Sequence, residues 1–224
     1  MKSDSLALKA YTEIRKKILS AQIPPDTRLK EDFWAKKLNV SRMAIRETLT
    51  RLLGEQLVTM GPKGGYFISS LSPSDIVQIR ELREVLELGA LRLACSKINR
   101  EQISRLEKIC DDFSTMIQQG YFAGACEADL KFHETIMEYS GNEKLQHAYT
   151  NSHIPLFHQR LAKNSNAEGD YELTDKEHRA IVKALKEKKL DQAEKVMKAH
   201  FARGAKMIDT DFEEQLRWTG SGPL

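Results

Sequence analysis

Between Ser72 and Glu194 the chain signals the start of a helix again and again, with little strand pattern in between, which confines that stretch to all-α packing. In SLSPSD, residues 70–75, Ser72 stands as an N-cap, Pro73 takes the first helical position and Asp75 enters the first turn. Asn99 with Gln102 opens a second helix, which Gly120 ends. The next runs to about Tyr139, where Ser140-Gly141-Asn142 breaks the chain and begins another. Thr174 with Glu177 and Asp191 with Glu194 read as two further capping boxes, in which a side-chain oxygen accepts from a free amide three residues on and the favour is returned. These signals predict a bundle of about six helices, with Pro155 inside a long fourth one that it must kink or interrupt.

Ahead of Ser72 the pattern is different. Leu8, Ile14, Ile18 and Leu19 recur at near-helical spacing in a first helix that stops by Pro24-Pro25. A short second helix, about Asp32 to Leu38, carries Phe33, Trp34 and Leu38. The turn Asn39-Val40-Ser41 follows, with Ser41 placed to cap a third helix. There Ile45, Leu49, Leu52 and Leu53 face inward, which leaves Arg42 and Arg46 one turn apart on the outside, with Met43 beside them. Two readings stand open here: a small packing unit with solvated arginines, or a head that reads a major groove through arginine and guanine. Residues 57–69 shift the balance. LVTM and YFIS are β-prone runs joined by GPKGG, so a hairpin follows the third helix and makes a winged helix-turn-helix, with Lys63 at the tip of the wing.

Charge supports a division of labour. Residues 1–70 hold 13 Lys and Arg against 7 Asp and Glu, whereas the remainder hold 22 against 25, so a basic front precedes a mildly acidic back. The boundary falls at residue 70, giving a DNA-binding domain over 1–70, a helical domain over 71–215 and a flexible tail over 216–224. No apolar stretch approaches the roughly 18 residues a membrane span needs. Nor does the N-terminus carry a signal peptide's apolar segment, so the expected location is the cytoplasm. Cys95, Cys110 and Cys126 follow no CxxC spacing and are read as reduced packing residues.

The segment IPPDTRLKEDFWAKKLNVSRMAIRETLTRLLGEQLVTMGPKGGYF resembles the DNA-binding domain of GntR-family bacterial transcription regulators. Val40-Ser41-Arg42, Arg46-Glu47-Thr48-Leu49, and Pro62 with Gly65 carry the resemblance. It implies that Ser41, Arg42, Arg46 and the wing from Lys63 through Gly64 to Gly65 touch DNA, with Met43 on the same face. Ala21 and Asp26 stand where the family commonly has glycine, and Asp32 where some relatives place a DNA-contacting arginine. An acid there repels phosphate, so Asp32 is left out of the contact set and a shifted operator preference is expected.

In the back half DLKFH sets Asp129 and His133 four residues apart, on one face of a helix. His178 lies 11 residues before the turn near Lys189 and His200 lies 11 after it. If the flanking helices run antiparallel, both histidines sit at one level, about 16 Å from the turn, in one rotational phase. Should that phase face the bundle axis, three imidazoles and a carboxylate from three helices converge, as a divalent transition ion requires. A single histidine is more often a hydrogen-bonded packing residue; four in register favour a cage. DLKFHETI, EHRAIVKALKEKKLDQAEKVMKAHF and IRELREVLELGALRLA resemble the FCD ligand-sensing domain of the FadR subfamily. That resemblance implies metal ligation by Asp129, His133, His178 and His200, and an anionic effector held by Arg83 beside the ion. His147, His153 and His158 have no place in the pattern, and Cys126 is off the phase of the Asp129/His133 pair.

The expected fold is therefore mainly α, a winged helix-turn-helix followed by a helical bundle. The expected function is a homodimeric regulator, a repressor in the first instance and not an enzyme, that binds double-stranded operator DNA at the nucleoid. A small organic acid captured at a metal site would control it, with zinc first among the ions and nickel, manganese or iron as alternatives. Two rival accounts are a metal-dependent enzyme acting on a small carboxylate and a regulator whose metal is purely structural.

Overall fold

A computed structural model describes residues 2–20, 22–161 and 168–219. The front half contains α1 (Lys2–Leu19), β1 (Arg28–Leu29), α2 (Glu31–Leu38), α3 (Arg42–Gly54), β2 (Val58–Met60) and β3 (Tyr66–Ile68). The back half contains α4 (Pro73–Lys97), α5 (Arg100–Gln118), α6 (Phe122–Tyr139), α7 (Glu143–Thr150), α8 (Ile154–Leu161), α9 (Glu168–Lys186) and α10 (Leu190–Thr219).

Ile14, Ile18, Ile45, Leu49 and Leu52 are fully buried in the front half and fasten α1 to α3. Leu8, which shares the near-helical spacing of Ile14 and Ile18, is 54% exposed; Ala7 and Ala10 take the inward positions instead. Asn39 adopts a left-handed backbone (φ 53°) that ends α2, and the Ser41 hydroxyl accepts from the Ala44 amide at 3.1 Å to open α3. The wing has one strand more than the sequence signals, because Arg28-Leu29 pairs antiparallel with Tyr66 and Phe67, giving the order β1-β3-β2. A two-residue strand is too short to show alternation, so no periodic signal was available. At the hairpin, the Gly64 amide donates to Gly61, and Gly64 and Gly65 hold φ of 81° and 91°, where a side chain would be strained.

The caps at Ser72 and Asn99 form full reciprocal boxes, each worth about 1 kcal/mol. The other two do not form. Thr174 lies inside α9, its hydroxyl donating to the Asp170 carbonyl at 2.9 Å, because the helix starts earlier, by Glu168. Helix α10 starts at Leu190, which puts Asp191 inside the first turn rather than at the cap. The tight turn itself is where the sequence placed it, with Lys188 at φ 58°. The Lys188 ammonium reaches back to the carbonyls of Cys95 and Ile98 at 2.9 and 2.7 Å, satisfying the C-terminal end of α4. Around Pro155 the expected long helix is two, α7 and α8, so the back half has seven helices among the described residues. Of the expected flexible tail, residues up to Thr219 continue α10, and 220–224 lie outside the described residues.

The back half builds its own core from Leu91, Ala94, Leu106, Phe132, Ile136, Leu185 and others along α4, α5, α6, α9 and α10. Helix α6 also faces the front half. Leu130 and Leu156 join the front core, and Arg15 of α1 bridges Glu55 at 3.2 Å and Glu134 of α6 at 2.8 Å.

Candidate functional site

Asp129 and His133 project from α6, His178 from α9 and His200 from α10, and one potential ligand atom from each lies within 4.8 Å of the others. The three imidazoles are buried. The Nε2 atoms of His133 and His178 stand 3.7 and 3.4 Å from Asp129 Oδ1. The His178 ring stacks on Phe132, centroids 3.9 Å apart, which fixes its plane.

Two carboxylates that the sequence reading missed orient the other rings. His133 Nδ1–H donates to Glu87 at 2.5 Å, and His200 Nδ1–H donates to Glu177 at 2.8 Å. In each case the proton is drawn to the outer nitrogen and the inner lone pair is left for the centre, the usual role of a carboxylate behind a ligating histidine. Glu87 lies four residues after Arg83 on the buried face of α4, a spacing that could have marked it. Glu177, expected to share a capping box with Thr174, instead accepts from His200 and Arg203, the latter at 2.6 Å.

Arg83 is 3% exposed. Its Nε donates to Glu87 at 2.6 Å and its Nη2 to His133 Nε2 at 2.9 Å. Since a guanidinium has only donors, that contact requires a lone pair on His133 Nε2. Burial, the largest influence, lowers the His133 pKa, but the Glu87 charge and the hydrogen bonds to Asp129 and Glu87 together outweigh it and the net direction is upward. Burial holds His178 well below the ordinary histidine value, and His200 below it despite Glu177. Both rings are therefore neutral at neutral pH, the form that ligates metal.

These residues fit a divalent ion. His178 Nε2 is buried without a hydrogen-bond partner, close to Asp129 yet not aligned with it, and such an orphan is costly unless something takes its lone pair. Three imidazoles and one carboxylate are the donor set of borderline first-row ions.

Glutamine in place of Glu177 is expected to weaken metal binding about 10- to 100-fold, checked by competition with a chelator. Burial raises the Glu177 pKa, but His200 and Arg203 overcome it and bring it from 4.5 to about 2. A depressed carboxylate contributes stability that is complete above the unfolded value and lost as pH falls towards the folded one. Acid unfolding of Glu177→Gln should therefore differ from that of the parent between pH about 4.5 and about 2.

Of the remaining histidines, His147 is exposed and paired with Asn151, and His153 sits in a turn at φ 58°. The side chain of His158 lies outside the described residues. The Cys126 thiol faces Tyr171 at 3.5 Å, and burial pushes its pKa up to about 11, which suits packing.

At the other end, Arg42, Met43 and Arg46 project outward from the first turns of α3, Met43 being 70% exposed. Lys63 is exposed at the wing tip. The arginines are not free, however. Glu31 pairs with Arg46 at 3.1 Å, and Asp32, expected only to repel phosphate, pairs with Arg42 at 3.0 Å.

Comparison with known proteins decides the family. Residues 78–203 match the FCD domain, and residues 6–68 match the bacterial regulatory proteins of the gntR family. The chain belongs to the GntR family and carries an FCD domain. It is 28% identical over 211 residues to the HTH-type transcriptional regulator YdhC of Bacillus subtilis (strain 168), covering 92% of both chains. The HTH-type transcriptional repressor RspR of Escherichia coli (strain K12) is 22% identical over 208 residues, 93% of this chain and 91% of that one. In fold it is similar to E. coli McbR/YncC, with TM-score 0.77 and 16% identity over 92% of this chain and 98% of the other. This GntR/FCD protein is thus a DNA-binding transcription regulator and not an enzyme. Among the described residues no helix is long and apolar enough to cross a membrane.

Proposed function

We propose that the protein is a homodimeric cytoplasmic repressor whose operator affinity is set by a small organic acid bound at a divalent-metal site in its helical domain. The domains are 1–70 for DNA and 71–215 for sensing and dimerisation. The carrying observation is the convergence of Asp129, His133, His178 and His200 within 4.8 Å, around a buried imidazole nitrogen without a hydrogen-bond partner. Zinc is the first candidate for the ion, with nickel, manganese and iron as alternatives. When bound, it supplies a Lewis-acidic position for a carboxylate oxygen. Arg83, held at its Nε by Glu87, is the cation that pairs with the acid's other oxygen once its Nη2 leaves His133. The name of RspR as a repressor supports the sign of regulation.

At the DNA, Ser41, Arg42, Met43, Arg46, Lys63, Gly64 and Gly65 form the contact face. Arg42 and Arg46 read bases while Lys63 and the wing backbone meet phosphate or minor groove. A two-fold protein requires a pseudo-palindromic operator.

Helix α6 links the two ends. One face carries Asp129 and His133; another carries Leu130, in the front core, and Glu134, paired with Arg15. Replacing Glu134 by glutamine is expected to leave acid binding intact and to reduce its coupling to DNA by about 0.5–2 kcal/mol. Operator titrations with and without the acid measure that coupling.

A thermal-shift screen of small carboxylic acids on zinc-loaded protein tests the assignment. An acid that raises the melting temperature of the parent and not of Arg83→Ala supports it. A screen in which no acid shifts the zinc-loaded protein, while chelation unfolds the helical domain, favours the purely structural metal.

A further inference from the structure

The two arginines at the start of α3 each face a carboxylate from the first turn of α2. Arg46 donates through Nε and Nη2 to the two oxygens of Glu31, at 3.2 and 3.1 Å. Arg42 Nε lies 3.0 Å from Asp32, and its Nη2 lies 3.7 Å from Glu31. Both contacts use the side edge of the guanidinium. These contacts engage Nε and Nη2 and not Nη1, and the Arg42 and Arg46 side chains are 62% and 56% exposed. A guanidinium has five N–H donors, so an arginine held by its side edge keeps a pair of parallel donors for a base. The arginines and acids border a surface hollow of about 610 Å³ whose rim includes Lys30 and Tyr66.

Two consequences follow from elementary electrostatics. A long side chain held in one orientation loses less freedom when it docks, which favours geometric readout of guanine. A carboxylate beside it weakens attraction to phosphate, the sequence-independent part of DNA binding.

We propose that Asp32, together with Glu31, is a specificity-determining residue of the DNA-reading face: it presents the end edge of Arg42 to a guanine and rejects phosphate contacts at that position. This rests on the assignment of Arg42 as a base reader.

The test uses full-length protein and duplexes selected by it from a random pool, with a scrambled duplex as control. Dissociation constants for both are measured across a salt series for the parent, Asp32→Asn, Asp32→Glu and Arg42→Ala. Asp32→Asn is expected to bind the scrambled duplex more tightly and to show a salt slope steeper by about one phosphate contact. Its ratio of selected to scrambled affinity is expected to fall about fivefold or more, while Asp32→Glu keeps the parental ratio. Since Asp32 and Arg42 are both exposed, the melting temperature should not move. An unchanged ratio and slope in Asp32→Asn, or a loss that tracks a lowered melting temperature, overturns the proposal. If Arg42→Ala keeps the parental ratio, the base-reading assignment fails as well; if only Arg42→Ala loses it, the role of Asp32 alone is wrong.

Discussion

Replacing His178 by alanine is expected to weaken zinc binding by more than about 100-fold, the upper end of what removing a partner behind a ligand costs. His178 is 1% exposed, its Nε2 lacks a hydrogen-bond partner, and burial keeps it neutral, so its lone pair is available without displacing a proton. The variant also loses the stack on Phe132 and leaves a cavity, so the metal-free protein will be less stable in any case. The gain in melting temperature on adding zinc separates the two effects. Binding to the folded state stabilises in proportion to the logarithm of ligand over dissociation constant, so the zinc-dependent gain should shrink by about 2.7 kcal/mol or more. A variant with lower overall stability but the parental zinc response would mean that His178 is a packing residue.

Arg42→Ala is expected to abolish most sequence preference at one operator position, about 1 to 3 kcal/mol, because a bidentate arginine and guanine contact discriminates by that amount. Lys63→Ala should act differently. Its side chain stands exposed at the tip of the wing, so its loss should weaken all duplexes alike and reduce the salt slope by about one. Competition titrations with single-position operator variants distinguish these outcomes. If both variants kept the parental preference and salt slope, the face built by α3 and the wing would not be the one that reads DNA.

Much of this was legible because the informative signals are local. Ser41, Ser72 and Asn99 each cap a helix through a side chain reaching three residues, and the GPKGG turn requires positive φ, which glycine supplies. The convergence of His178 and His200 was accessible because a single tight turn sets the register of two helices. What escaped depends on distant partners. Glu177 fits a capping pattern with Thr174, yet helix α9 extends beyond them, and its carboxylate is claimed by His200 and Arg203. Glu87 finds His133, and Asp32 finds Arg42, only after separate helices meet, so neither pairing leaves a periodic trace. Leu8 and Ala7 show the limit of periodicity itself: both are apolar, adjacent residues on α1, and only packing against α3 decides that alanine faces in.

The central claim is that a small acid acts on DNA binding through the buried Asp/His centre. It is tested most directly by titrating the selected duplex into zinc-loaded and chelated protein, each with and without the best acid from the thermal screen. The account predicts that the acid changes the dissociation constant of the zinc-loaded parent by about 5- to 150-fold. It predicts no such change in chelated protein or in Asp129→Ala. An acid effect of equal size in all three would contradict it.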